Sequence, residues 1–253
     1  MDKTPLWTKS FILNCIVNFF VFAVYYLLMV IIAEYAMDQL QASPGFAGLL
    51  AGSFMVAGII GRLLTGRLIE RIGRKRLLWI GLAIYVISTL LYLAAGSLPV
   101  LFAVRILQGI GFGISSTSTS TIAAYLIPLS RRGEGISYFS TSITLSSAIG
   151  PFLGMLLYRQ ASFEIVLVLN CILIVLACVG AVFLKVPESS QTANEPLSIK
   201  SFSPDKFFES RAMPISIVGM LIFFCLSSIL SFLSPYTASI GLTEAGSFFF
   251  VIY

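Results

Sequence analysis

A chain of 253 residues that is 58% hydrophobic and 11% charged has too little polar surface to enclose a water-soluble core of its own size. Its net charge of +5 is small, and the basic residues gather at the ends of apolar runs, which argues against a nucleic-acid partner. The sequence has no histidine, and its four cysteines fall inside apolar runs without ligand spacing, so neither a metal site, a cofactor nor a disulfide framework is expected.

The apolar runs follow one another in order: Ser10–Ala33, Gln39–Gly61, Leu77–Val104, Ile106–Ser130, Gly135–Tyr158 and Ile165–Leu184. About 20 apolar residues cross a bilayer as a helix. Six such runs predict an all-α integral membrane protein. The first run is too long for a cleaved signal peptide and has no small-residue cleavage site after it. Short connections make neighbouring spans antiparallel, so residues 1–184 are expected to form one six-helix bundle. Residues 185–211, rich in serine, proline and charge, read as a linker. Residues 212–253 read as an incomplete second bundle: a seventh helix from about Pro214 to Leu233, a loop SPYTASIG, and GSFFFVIY as the first half of an eighth span. The chain is therefore expected to break off inside that span.

Of the 16 basic residues, all but Arg105 and Arg159 lie at the N-terminus or in alternate connections. The second connection alone carries Arg62, Arg67, Arg71, Arg74, Lys75 and Arg76, and the fourth carries Arg131 and Arg132. The positive-inside bias places the N-terminus and these connections in the cytoplasm.

Polar residues inside the spans are the functional candidates. In the first span, Asn14, Asn18 and Tyr25 share one helical face. The two amides either join helices or line a path. Glu34 closes that span and is the acid nearest an outward-facing cavity; no Asp or Glu lies squarely inside any complete span. The second span, PGFAGLLAGSFMVAGIIG, is thinned by glycine for close helix contact. Arg105 stands six residues after Pro99, roughly 9 Å into its helix. A charge there is costly unless it faces a cavity or a partner. At helical spacing from it come Gln108, Phe112, Ser116 and Thr119, a polar stripe with one aromatic that runs into SSTSTST. Hydroxyls of that run that leave the stripe can bond their own helix backbone. In the fifth span, Gly150, Pro151 and Gly154 combine a missing N–H with a tight face, suited to a seal or pivot.

Three stretches carry a family resemblance. GRLIERIGRK, Gly66–Lys75, resembles the G-x-x-x-D-R-x-G-R-R/K motif between helices two and three of the major facilitator superfamily, with Glu70 in place of the aspartate and Gly66, Arg71, Gly73, Arg74 and Lys75 matching. Arg105, Gln108, Gly109 and Gly111 resemble the family's R-x-x-Q-G-x-G motif of helix four. Gly150, Pro151 and Gly154 resemble the helix-five motif of its drug and small-molecule:proton antiporters, although Ser137, Ser146 and Met155 replace glycines of that motif.

The resemblance implies a complete six-helix N-terminal half, the start of a C-terminal half, and alternating access around a midplane site. It implies a monomer in the plasma membrane, of bacterial type, that exports a small organic solute in exchange for protons. Arg105 and Glu34 are then the proton-coupling candidates. Asn18, Tyr25, Gln108, Ser116 and Thr119 are the cavity candidates. The gating candidates are Gly66, Glu70, Arg71, Gly73, Arg74, Arg131, Arg132, Gly150, Pro151 and Gly154. Gly66 and Gly73 are expected to allow a tight turn, and Glu70, Arg71 and Arg74 to pair with Arg131, Arg132 and Glu134. A sugar or metabolite carrier of the same superfamily is the alternative, and a receptor or scaffold is further off. Without a histidine or an acid pair, nothing reads as an enzyme.

Overall fold

The structure is a computed structural model that describes residues 5–186 and 213–225. The chain divides into two compact units, residues 1–191 and 192–253.

The first unit holds six helices: α1 (Lys9–Leu40), α2 (Pro44–Ile72), α3 (Arg74–Leu91), α4 (Leu98–Leu126), α5 (Arg132–Gln160) and α6 (Phe163–Phe183). Each is long and apolar enough to cross a membrane, α3 together with the 3-10 turn Tyr92–Ala94 that extends it. Local chemistry sets several of the ends. The Thr8 hydroxyl accepts from the Phe11 N–H at 3.2 Å and caps α1. At its other end Gln41 takes a left-handed conformation, φ 53°, and its N–H closes on the Ala36 carbonyl. Ser43 caps α2 through the Phe46 N–H, with Pro44 in the first turn, where a missing donor costs nothing.

Two boundaries differ from the sequence reading. Helix α1 does not stop at Glu34 but continues through Asp38 to Leu40. Charged residues at a helix end beyond the hydrocarbon impose no break, because water solvates them there. The basic stretch Gly66–Lys75 is almost wholly helical. Residues 66–72 finish α2, Gly73 alone turns the chain at φ 92°, and Arg74 starts α3. Gly73 is thus the turn residue. Gly66 is mid-helix with open space around it, so the turn expected of it is not made.

Helix α4 packs mainly on α2 and α3, and α1 mainly on α5 and α6; α1 also meets α4, and α3 meets α6. Exchanging α1 with α4, α2 with α5 and α3 with α6 maps this pattern onto itself. Two three-helix repeats of opposite direction account for that symmetry. Glycines permit the two equivalent crossings. A Cβ on Gly109 would strike the Phe54 carbonyl of α2, and one on Gly154 would strike the Leu27 carbonyl of α1. Gly61 and Gly150 are similarly confined, whereas Gly45, Gly48 and Gly52 have nothing within 4 Å. Only the inner part of the glycine-rich α2 therefore serves close packing.

Polarity is distributed as a bilayer requires. On α6, Ile165, Val168, Ile172, Val175, Val179 and Val182 form an exposed apolar stripe. Asn14, Asn18, Arg105, Gln108 and Asn170 lie in the interior; Asn14, Asn18 and Gln108 bond residues of other elements, while Arg105 and Asn170 bond within their own helices.

Within the second unit, Met213–Cys225 is an apolar helix, α7. It covers the first part of the predicted seventh span. The linker, the rest of that span, the SPYTASIG loop and the eighth span fall outside the described residues.

Candidate functional site

The buried face of α4 carries the predicted stripe, and it is layered. Arg105 to Thr119 covers about 21 Å of helix axis. At one end lies a charged layer, in the middle an aromatic layer, and at the other an amide–hydroxyl layer.

In the charged layer Arg105 is 1% exposed. Its Nη1 donates to Gln108 Oε1 at 3.0 Å, and its guanidinium carbon sits 4.6 Å from the centre of the Phe54 ring. The Tyr92 hydroxyl donates to the same Gln108 oxygen at 2.8 Å. The oxygen thus takes two donors, while Gln108 Nε2 and Arg105 Nε remain buried without an acceptor. No Asp or Glu among the described residues pairs with Arg105. A buried cation with spare donors calls for an anionic or carbonyl partner, since an uncompensated charge in low dielectric is expensive. The i, i+3 spacing explains the Arg105–Gln108 bond. Tyr92 and Phe54 were not singled out in the sequence. Tyr92 lay hidden in a run read as one continuous apolar segment, and the 3-10 turn after α3 is what aims it at α4.

The aromatic layer is Tyr25, Phe54 and Phe112, with ring centres 4.9 to 5.3 Å apart. The Tyr25 hydroxyl donates to Met29 Sδ at 3.1 Å. Three close-packed rings separate the two polar layers.

In the third layer, Thr119 Oγ1 donates to Asn18 Oδ1, and Asn18 Nδ2 donates to Ser142 Oγ, both at 2.8 Å. Asn14 Nδ2 donates to the Thr119 carbonyl at 2.9 Å. Ser146, standing where the family motif has glycine, donates to the Phe19 carbonyl at 2.8 Å and so ties α5 to α1. Helices α1, α4 and α5 are stitched together here. Ser120 and Thr121 bond their own helix, through the carbonyls of Ser116 and Thr117. An Asn18→Leu and Thr119→Val double-mutant cycle should show coupling of about 1 kcal/mol in denaturant unfolding from micelles. Additive effects would mean that this bond adds nothing to the packing around it.

Asn18, Tyr25, Gln108, Ser116 and Thr119 are all buried in the six-helix unit, not set on an open wall. Glu34 is half-buried near the far end of α1 and makes no bond to Arg105. Gly150 and Gly154 press on Tyr26 and Leu27 of α1, with Pro151 between them inside an unbroken α5.

The basic connection is paired differently from the expectation. Arg131 closes on Glu134 through two bonds, 2.8 and 2.6 Å, and this is the one ion pair among the described residues. Partners three residues apart at the start of α5 meet without ordering a long segment, so Glu134 goes to its neighbour instead of to Arg71 or Arg74. Arg74 instead lies 4.4 Å over the Tyr125 ring of α4, and Lys75 donates to the Val182 carbonyl of α6 at 3.5 Å. Glu70 and Arg71 are exposed, and neither Glu70–Arg131 nor Glu70–Arg132 forms.

The sequence pattern of the Major Facilitator Superfamily matches residues 15–253. The chain belongs to that superfamily. Its relatives include Multidrug resistance protein 3 of Bacillus subtilis, 34% identical over 53% of this chain and 27% of that protein. The Arabinose-proton symporter of the same organism is 26% identical over 50% of this chain and 27% of that one. The matched region thus spans about a quarter of either relative's length. Among solved structures, the peptide transporter POT in complex with sulfate superposes with a TM-score of 0.69 at 19% identity, over 88% of this chain and 46% of that one. The chain thus has the superfamily fold and is a multi-pass membrane protein.

Proposed function

We propose that this superfamily member is a secondary transporter that exports a small organic solute by alternating access, driven by proton entry. The observation that carries the reading is Arg105: a buried guanidinium whose spare donors face no acid of the described residues. A carboxylate or a substrate anion supplied from elsewhere would satisfy it, and an adjacent cation favours the ionised form of such an acid. Protonating that acid releases its hold on Arg105, which links proton binding to helix rearrangement. Tyr92 and Phe54 act as positioning residues for Arg105. The glycine-rich α1–α5 and α2–α4 crossings provide smooth surfaces for movement, and Glu70, Arg71 and Arg74 provide the cytoplasmic latch.

Export is favoured by the helix-five glycine–proline motif and by the likeness to a multidrug resistance protein. The likeness to an arabinose–proton symporter keeps a sugar or metabolite carrier as the second reading. The protein works as a monomer in a bacterial plasma membrane, with its N-terminus in the cytoplasm and lipid and solute as its partners. It needs no cofactor and catalyses no covalent chemistry.

Proteoliposome counterflow with a lipophilic dye and with a pentose, each with and without an imposed pH gradient, tests this. Dye movement that accelerates with the gradient is expected. Pentose movement in its place would select the second reading, and movement indifferent to pH would remove proton coupling.

A further inference from the structure

Arg62 belongs to α2, not to the basic connection that follows it. It is exposed on the six-helix unit, and its guanidinium carbon lies 5.9 Å from the centre of the Phe112 ring. Phe112 stands at the middle of α4, and its ring meets Phe22 and Tyr25, halfway along α1, with centres 5.1 and 5.0 Å away. The charge is therefore held at mid-depth. Side chains on a helix lean toward its N-terminus. In α2 that lean carries Arg62 away from the basic connection instead of letting it snorkel there. Arg105 rests on Phe54 at 4.6 Å, and the Phe54 and Phe112 rings are 5.3 Å apart. Two guanidiniums thus bracket one aromatic layer. No acid among the described residues pairs with either. The acids of α1–α6, Glu34, Asp38, Glu70, Glu134 and Glu164, all stand within two turns of a helix end.

We infer that Arg62 is the anion-binding residue of a site for a small organic acid on this face of the six-helix unit. A guanidinium exposed to lipid at this depth is costly, so its surroundings are water or a polar ligand. With a second cation across the rings and no acid at that level, the field favours an anion. A cation would be repelled by both arginines. The rest of the face fits the body of such a solute. Met55 and Ile59 are exposed at helical spacing from Arg62, and Gly66, one turn beyond it, has nothing within 4 Å. An apolar body beside Met55 and Ile59 leaves its carboxylate at Arg62, where the guanidinium fork can hold both oxygens. The inference rests on the transporter reading and gives its solute a charge.

Equilibrium dialysis of the purified protein in neutral detergent at neutral pH, against radiolabelled benzoate and against benzamide as its uncharged counterpart, tests the site without requiring transport. Saturable benzoate binding is expected, about tenfold tighter than benzamide binding and weakened by salt. Arg62→Gln should weaken benzoate binding about tenfold and leave benzamide binding unchanged. Arg62→Lys keeps the charge without the fork and should recover part of the loss. Elution from size exclusion checks both variants. Should Arg62→Gln not fold, Arg62→Lys and the comparison of benzoate with benzamide on the unsubstituted protein still give the answer. Absence of saturable benzoate binding would overturn the proposal. Equal binding of the two compounds would overturn it too, since it is the result of a guanidinium already held by an acid elsewhere in the chain. Benzoate binding that Arg62→Gln retains at full strength would place the anion elsewhere and end the assignment. None of these results touches the proton-coupled reading, which counterflow decides.

Discussion

Gly109→Ala lowers the thermal stability of the micelle-solubilised protein sharply, while the chemically identical Gly48→Ala leaves it level or slightly raises it. Both residues sit inside helices, α4 and α2, where alanine is the better helix former by about 1 kcal/mol. The two positions differ only in what the added methyl meets. At Gly48 there is nothing within 4 Å. At Gly109 the methyl would overlap the Phe54 carbonyl and stand 2.8 Å from the Ala57 Cβ. A carbonyl oxygen inside a helix cannot swing aside as a flexible side chain can, so α2 and α4 must separate. Overpacking of this kind costs about 1–3 kcal/mol, and here it also disturbs Phe54, on whose ring Arg105 rests. Fluorescence-detected size exclusion after heating reads the difference. Equal melting of the two variants would mean that the crossing is looser than described.

Arg105→Ala loses pH-gradient-driven transport while the protein still inserts and elutes as a single species. Losing a charged hydrogen bond to Gln108 and the means of holding an acid removes about 1.5–3 kcal/mol of interaction, a drop of roughly 10- to 100-fold in coupled flux. Arg105→Lys does not restore it. A single ammonium cannot both reach Gln108 Oε1 and stay over the Phe54 ring as the larger guanidinium does. Tyr92→Phe gives a partial loss, because it removes one of the two donors to the Gln108 oxygen and leaves the charge in place. Gradient-driven uptake in proteoliposomes, measured beside uptake without a gradient, separates lost coupling from lost folding. Coupled transport by Arg105→Ala at the unsubstituted rate would refute the role given to this residue.

Both outcomes depend on how the helices meet, and that was legible only in part. The six spans were plain in the sequence because a bilayer demands long uninterrupted apolar runs. Arg105 stood out for the same reason: a charge among apolar residues needs a partner wherever the fold puts it. The glycines of α2 were equally visible, but periodicity alone did not separate Gly61, pressed on the Ile110 carbonyl, from Gly48, which touches nothing. Asn18 and Tyr25 share a face of α1, yet one ends in a hydrogen-bonded layer with Thr119 and Ser142 and the other in a stack of rings.

The basic stretch Gly66–Lys75 shows the same division on a small scale. Its charge and its resemblance to a family motif could be read directly. That it is the last two turns of α2, one glycine at φ 92° and the first residues of α3 could not, because propensity does not see where a turn must fall for α3 to pack on α4. The pairing of Arg131 with Glu134 instead of with Glu70 was likewise settled by proximity in the folded chain. The order of apolar runs by itself determined the solvent and the six spans of the first unit, since transfer into a bilayer is summed residue by residue along the chain, and the motifs carried the resemblance to the family. Which donors share the Gln108 oxygen, which glycines are filled by a neighbouring backbone, and which aromatic rings stack in one layer were decided by tertiary structure alone. Those contacts join residues far apart in sequence, and only the crossing of the helices brings them within bonding distance.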